Sequence, residues 1–117
     1  MPVSAMVLLI DDDEATRELV GRILTKEGYH VECAPNDDTG VRRAVELKPS
    51  AILLDVMMPD HDGWAMLAAL KAKPELGMVP VIVLGAADDW GLASALGAAA
   101  QLEKPLSREG LVGALSA

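Results

Sequence analysis

Short unbroken apolar runs alternate along this chain with longer stretches whose apolar residues recur at helical spacing. Val7–Ile10 and Ala51–Leu54 are too short for helices and continuous enough for strands buried on both faces, and each stops on a carboxylate, Asp11 or Asp55. From Glu14 the rhythm becomes helical: Ala15, Leu19, Val20, Ile23 and Leu24 form one stripe, Arg17, Arg22 and Lys26 lie off it, and Gly28 supplies a stop. Tyr29–Ala34 reads as a strand in which Tyr29, Val31 and Cys33 alternate with His30 and Glu32. Pro35 to Asp38 is turn chemistry leading into a helix faced by Val41, Ala44 and Val45 and ended by Pro49. A third helix is expected from Trp64 to about Ala72, then a strand over Val79–Leu84 with Pro80 tolerated near its start. A short helix follows over Asp88–Leu96, and Ala99–Leu102 is the weakest strand because alanine has little β preference. Ser107 should cap a last helix carrying Leu111, Val112 and Leu115.

The order is strand–helix repeated five times, an α/β pattern that implies a parallel sheet with helices on both faces and right-handed crossovers. In such a sheet all strands end on one rim, where ligands bind. Asp11 and Asp12 follow the first strand, Asp55 ends the third, and Lys104 follows the fifth. If the first and third strands are neighbours, three carboxylates and one ammonium meet there. Like charges about 4 Å apart repel by roughly 4 kcal/mol at an effective dielectric near 20, so such a cluster calls for cations. Lys104 supplies one charge and a divalent metal would supply the rest. A site of few protein oxygens suits Mg²⁺.

Composition narrows the function. The chain has 117 residues, the size of one domain, and 51% of them are apolar, which excludes disorder. Phe is absent, so the core must be aliphatic. A net charge of −8 argues against direct nucleic-acid binding. The single cysteine, Cys33, cannot form an internal disulfide, and the run from Val3 to Ile10 lacks the flanks of a signal peptide. No stretch is long enough to span a membrane, and a cytoplasmic location is expected.

The run Val7-Leu-Leu-Ile-Asp-Asp-Asp13, the block Leu53-Leu-Asp55-Val-Met-Met-Pro59-Asp-His-Asp62-Gly63 and the pair Lys104–Pro105 together resemble the receiver domain of two-component response regulators. The resemblance extends over the whole chain, residues 1–117, as a single domain. It implies a flavodoxin-like (βα)5 fold with strand order 2-1-3-4-5. By position it implies that Asp55 accepts phosphate from a sensor histidine kinase or phosphotransfer protein. Asp12, Asp55 and the Met57 carbonyl would bind Mg²⁺ directly, Asp11 would hold it through water, and Lys104 would pair with the phosphoryl oxygens. Pro59 and Gly63 would shape the loop presenting Met57, and a cis Lys104–Pro105 bond is implied. The output would be a downstream protein or a fused domain, the chain being either a stand-alone receiver or a piece of a longer protein. The oligomeric state is left open.

Two positions depart from the family. Gly85 stands where it usually carries a hydroxyl that grips the phosphoryl group, and Gln101 replaces an aromatic residue on the fifth strand. The segment between Gly85 and Lys104 is also shorter than usual by about three residues, nearly a helical turn. The alternative function is therefore a receiver-like interaction module that works without phosphorylation. A small phosphohydrolase with an aspartyl-phosphate intermediate is disfavoured, because Met57 occupies the place of its second acid. Asp13 reads as a cap or solvated residue, His61 as an exposed loop residue and His30 as a strand-edge residue. Met57, Met58 and Met66 read as core filling, Cys33 as a small apolar residue, and Trp64 and Trp90 as partly buried packing.

Overall fold

Two aliphatic layers, one on each face of a single parallel sheet, account for the architecture. The structure, a computed structural model, describes residues 5–34, 38–57 and 62–116. The elements alternate: β1 (Met6–Ile10), α1 (Glu14–Lys26), β2 (His30–Ala34), α2 (Asp38–Leu47), β3 (Ala51–Asp55), α3 (Gly63–Ala72), β4 (Val81–Leu84), α4 (Trp90–Ala95), β5 (Ala100–Leu102) and α5 (Arg108–Ser116). Single 3₁₀ turns at Pro74–Leu76 and Ala87–Asp89 precede β4 and α4. The strands are parallel in the order β2-β1-β3-β4-β5, the flavodoxin-like order expected.

Alternation along the strands sends side chains to opposite faces. Leu8, Ile10, Ile52, Leu54, Val81 and Val83 pack with Leu67 and Leu70 of α3 and Ala44 of α2. Val7, Leu9, Leu53, Ile82 and Leu84 pack with Val20 and Leu24 of α1 and Leu111 of α5. Each fully buried Leu, Ile or Val contributes about 1.5–3 kcal/mol, and the layers of β1, β3 and β4 hold the sheet without any Phe.

Local chemistry sets the boundaries. Gly28 and Gly97 take positive φ (93° and 101°) after α1 and α4, where a left-handed turn stops each helix. Asp62 Oδ1 accepts from the Ala65 N–H (3.1 Å) and starts α3 one residue earlier than expected. The Ser107 hydroxyl accepts from the Gly110 N–H (3.0 Å), capping α5 as expected. β4 begins at Val81 rather than Val79, since Pro80 has no N–H for the ladder; its carbonyl still accepts from Ile52. β5 begins at Ala100, one residue later than expected, and Ala100, Gln101 and Leu102 pair with Ile82, Val83 and Leu84.

Some assignments change. Cys33 is exposed, not a packed apolar residue, because β2 is an edge strand with a neighbour on one side only. Met66 fills the core, but Met57 is 60% exposed at the sheet rim. Trp64 packs against the core, whereas Trp90 stands 42% exposed on the short α4. His30 is exposed and pairs with Glu32. Pro59, Met58 and His61 lie outside the described residues.

Candidate phosphoacceptor site at the sheet rim

The pairing register builds the site. Ile10 sits beside Leu54, so the residues that follow, Asp11 and Asp55, emerge side by side at the carboxyl ends of β1 and β3. They share the parity of Leu9 and Leu53 and so lie on the α1/α5 face, while Asp12 has the opposite parity. Burial follows: Asp11 is 0% and Asp55 4% exposed, and Asp12 is exposed.

Lys104 reaches both buried carboxylates from beyond β5. Its Nζ donates to Asp55 Oδ2 at 2.9 Å and stands 3.0 Å from Asp11 Oδ2. Asp13 Oδ2 lies 4.0 Å from the same ammonium. The backbone completes the first two acids: Asp55 Oδ1 accepts from the Met57 N–H (2.7 Å), and Asp11 Oδ1 from the Asp13 N–H (2.8 Å). The Lys104–Pro105 bond is cis.

The charges strain against each other. Burial pushes the Asp11 carboxyl above the usual range and the Asp55 charge adds to this, while the Asp13 N–H and Lys104 oppose it. For Lys104, burial is the largest single influence and pulls downward. The hydrogen bond to Asp55, the close ion pair with Asp11 and the charges of both acids together outweigh it, leaving the ammonium above its ordinary pKa. Asp13 is held below the usual range, chiefly because its Oδ2 accepts from the Thr16 hydroxyl at 2.6 Å.

Of the residues expected to hold metal, the structure joins Asp11 and Asp55, sets Met57 two residues beyond the acceptor, and leaves Asp12 at the exposed rim. Among the described residues no three His, Cys, Asp or Glu side chains are grouped closely enough to hold a metal unaided. Asp11 Oδ2 is nevertheless a buried oxygen without a hydrogen bond, at ion-pair distance from Lys104 but outside hydrogen-bond geometry. A buried orphan oxygen among hard, anionic donors fits Mg²⁺, which keeps most of its waters. Asp13 stands, as expected, exposed at the N-cap of α1; its approach to Lys104 was not foreseen, and the spacing Asp13-x-x-Thr16 at a helix start was the available signal for its bond to Thr16.

Gly63 fixes the approach of α3. A Cβ there would stand 2.3 Å from the Val56 Cα, so only glycine admits this packing. At the departing positions, Gly85 has no side chain, and its N–H is spent on the Leu102 carbonyl (3.0 Å). Gln101 Nε2 donates to the Ala86 carbonyl.

A five-stranded sheet of this order, with paired acids at the β1 and β3 tips and a lysine after β5, defines a receiver-type α/β domain. The family model of the response regulator receiver domain matches residues 7–116, and the chain belongs to that family, the receivers of two-component systems. Response regulator PleD of Caulobacter vibrioides is 39% identical over 89 residues, covering 76% of this chain and 20% of PleD. The chemotaxis protein CheY4 of Vibrio cholerae superposes with a TM-score of 0.88 at 27% identity, covering 97% of this chain and 98% of CheY4. The receiver domain of the sensor histidine kinase PA1611 from Pseudomonas aeruginosa PAO1 has a magnesium ion coordinated in its active-site cleft. It superposes with a TM-score of 0.85 at 26% identity, covering 97% of this chain and 96% of that domain. The chain spans 20% to 47% of the length of the curated relatives it matches. Among the described residues no helix is long and apolar enough to cross a membrane.

Proposed function

We propose that residues 1–117 form one receiver unit that accepts a phosphoryl group on Asp55 from a sensor histidine kinase or phosphotransfer protein. The observation that carries this is the pairing of Lys104 with two buried carboxylates, Asp11 and Asp55, at the tips of adjacent strands. A structural ion pair needs only one acid per lysine; the second makes the site a cation trap.

In the transfer, a carboxylate oxygen of Asp55 attacks the phosphorus of a phosphohistidine. An O–P bond forms as the N–P bond breaks, and its electron pair returns to the partner's imidazole, which then takes a proton. Lys104 stabilises charge on the phosphoryl oxygens, and the Met57 N–H holds the carboxylate in line. Asp11, Asp12, Asp55 and the Met57 carbonyl would hold Mg²⁺, which when bound supplies further neutralisation of the phosphoryl charge. The partner of the output step is a downstream protein or a domain fused to this one, acting in the cytoplasm. Net charge −8 keeps nucleic acid from being a direct ligand of this domain.

Gly85 and the Gln101–Ala86 hydrogen bond favour one second reading, an interaction module that is not switched. Incubation with acetyl phosphate and Mg²⁺ separates the two. The wild-type chain should gain the mass of one phosphoryl group and Asp55→Asn should not. Absence of labelling on the wild type supports the unswitched module.

A further inference from the structure

The backbone of Ala86 is held on both sides of its Cα. Its N–H donates to Asp89 Oδ2 (2.9 Å), and its carbonyl accepts from Gln101 Nε2. The neighbouring Gly85 N–H donates to the Leu102 carbonyl at 3.0 Å. The Ala86 carbonyl also accepts from the Asp89 N–H (3.0 Å), so the loop from β4 to α4 is tied twice to β5 and twice to the turn that opens α4. None of these ties engages the Asp55 site.

The orientation of Gln101 is fixed by chemistry. A carbonyl can only accept, so the amide nitrogen must face Ala86. Gln101 Oε1 is then left buried without a partner, and the strand tolerates that orphan to keep the bond. Gly85 makes the other half possible. A Cβ on residue 85 would stand 3.2 Å from Asp89 Oδ2 and 3.3 Å from Val56 Cγ2, so a larger residue would press on the carboxylate that holds Ala86, which would have to give by a few tenths of an ångström. Glycine at 85 leaves the Asp89 carboxylate its full room against the Ala86 N–H.

We propose that Asp89 and Gln101 form a clamp on the two peptide groups that flank the Ala86 Cα. While closed, it fixes the β4–α4 loop so that a phosphoryl group on Asp55 is not relayed to α4. Asp89 and Gln101 are positioning residues: they act on the loop and touch no reacting atom. The relay half of this rests on the phosphoacceptor reading above; the clamp itself does not.

Amide hydrogen exchange by NMR on the ¹⁵N-labelled chain tests the clamp without any phosphoryl group. The Ala86 amide should exchange at least about tenfold faster in Asp89→Ala than in the wild type, because its only acceptor is gone. The Gly85 amide, bonded to Leu102, should stay protected, which also reports that the variant is folded. Asp89→Asn keeps an acceptor oxygen and should restore protection. Equal Ala86 exchange in wild type and Asp89→Ala overturns the proposal. Beryllofluoride with Mg²⁺ then tests the relay. Shifts in the wild type should stay near Asp11, Asp55 and Met57, and in Asp89→Ala/Gln101→Leu they should spread into residues 90–95 and 100–102. Spread of equal extent in both chains overturns the relay. If beryllofluoride moves no amide near Asp55 in either chain, the phosphoacceptor reading has failed, and the exchange rates still decide the clamp.

Discussion

Lys104 and Asp55 meet at 2.9 Å across 49 residues of sequence, and the same ammonium lies 3.0 Å from Asp11. One cation between two buried anions makes the site asymmetric towards mutation. Lys104→Met leaves two buried carboxylates facing each other and should cost about 1–2 kcal/mol, less than a fully buried pair that loses one partner because the Lys104 side chain is 35% exposed. Asp55→Asn leaves one buried acid, Asp11, facing the lysine, with the exposed Asp13 at 4.0 Å, so stability should hold or rise. Urea unfolding of both variants checks this. A loss in Asp55→Asn as large as that in Lys104→Met would contradict the account of the charges.

Gly63→Ala tests the close approach of α3 to the loop after β3. The added methyl would sit 2.3 Å from the Val56 Cα, and backbone cannot swing aside as a side chain can. A loss of about 3 kcal/mol is expected, the upper range for overpacking. The melting temperature should fall accordingly, and the Met57 amide, which holds Asp55, should shift in the NMR spectrum. An unchanged melting temperature would mean that helix and loop part easily.

Sequence patterning reached the element order and the acid–lysine set because both rest on local signals. Apolar runs stopped by acids mark strand tips, and a parallel sheet gathers its tips on one rim. What patterning left undecided, and where it erred, are both matters of tertiary placement. Asp11 and Asp12 are identical as letters, and only the β1–β3 register shows that Asp11 goes inward and Asp12 out. Cys33 alternates correctly with Glu32 but lies on an edge strand, so its facing side is uncovered. Gln101 read as the loss of an aromatic residue; its bond to Ala86 links positions 15 apart and has no local signature.

Among the described residues a space lies open at the opposite rim. A cavity of about 310 Å³ lies where the strands begin, lined among others by Ala100, Ala114, Leu115 and Tyr29. Small side chains on both β5 and α5 leave it unfilled. Ala114→Val should fill part of it and raise stability by about 1 kcal/mol, the usual yield of cavity filling. Thermal unfolding checks this; destabilisation would show that the space cannot take a larger group without strain.

Asp13 gives the site a defined acid dependence. Its carboxyl is held below the usual range first by the Thr16 hydroxyl, at 2.6 Å, and further by Lys104. For an acid whose pKa is lowered in the folded state, the stabilisation is fully present above the unfolded pKa. It is lost as pH falls through the folded one. Thr16→Val removes the hydroxyl but keeps the shape of a 7% exposed side chain, so it should remove most of that contribution. The variant should therefore be less stable than the wild type at neutral pH, and the gap should narrow as both are taken well below the carboxylate range. Urea midpoints followed from pH 7 into acid measure this directly. A gap that stays constant with pH would assign the loss to packing around Thr16 rather than to the charge on Asp13.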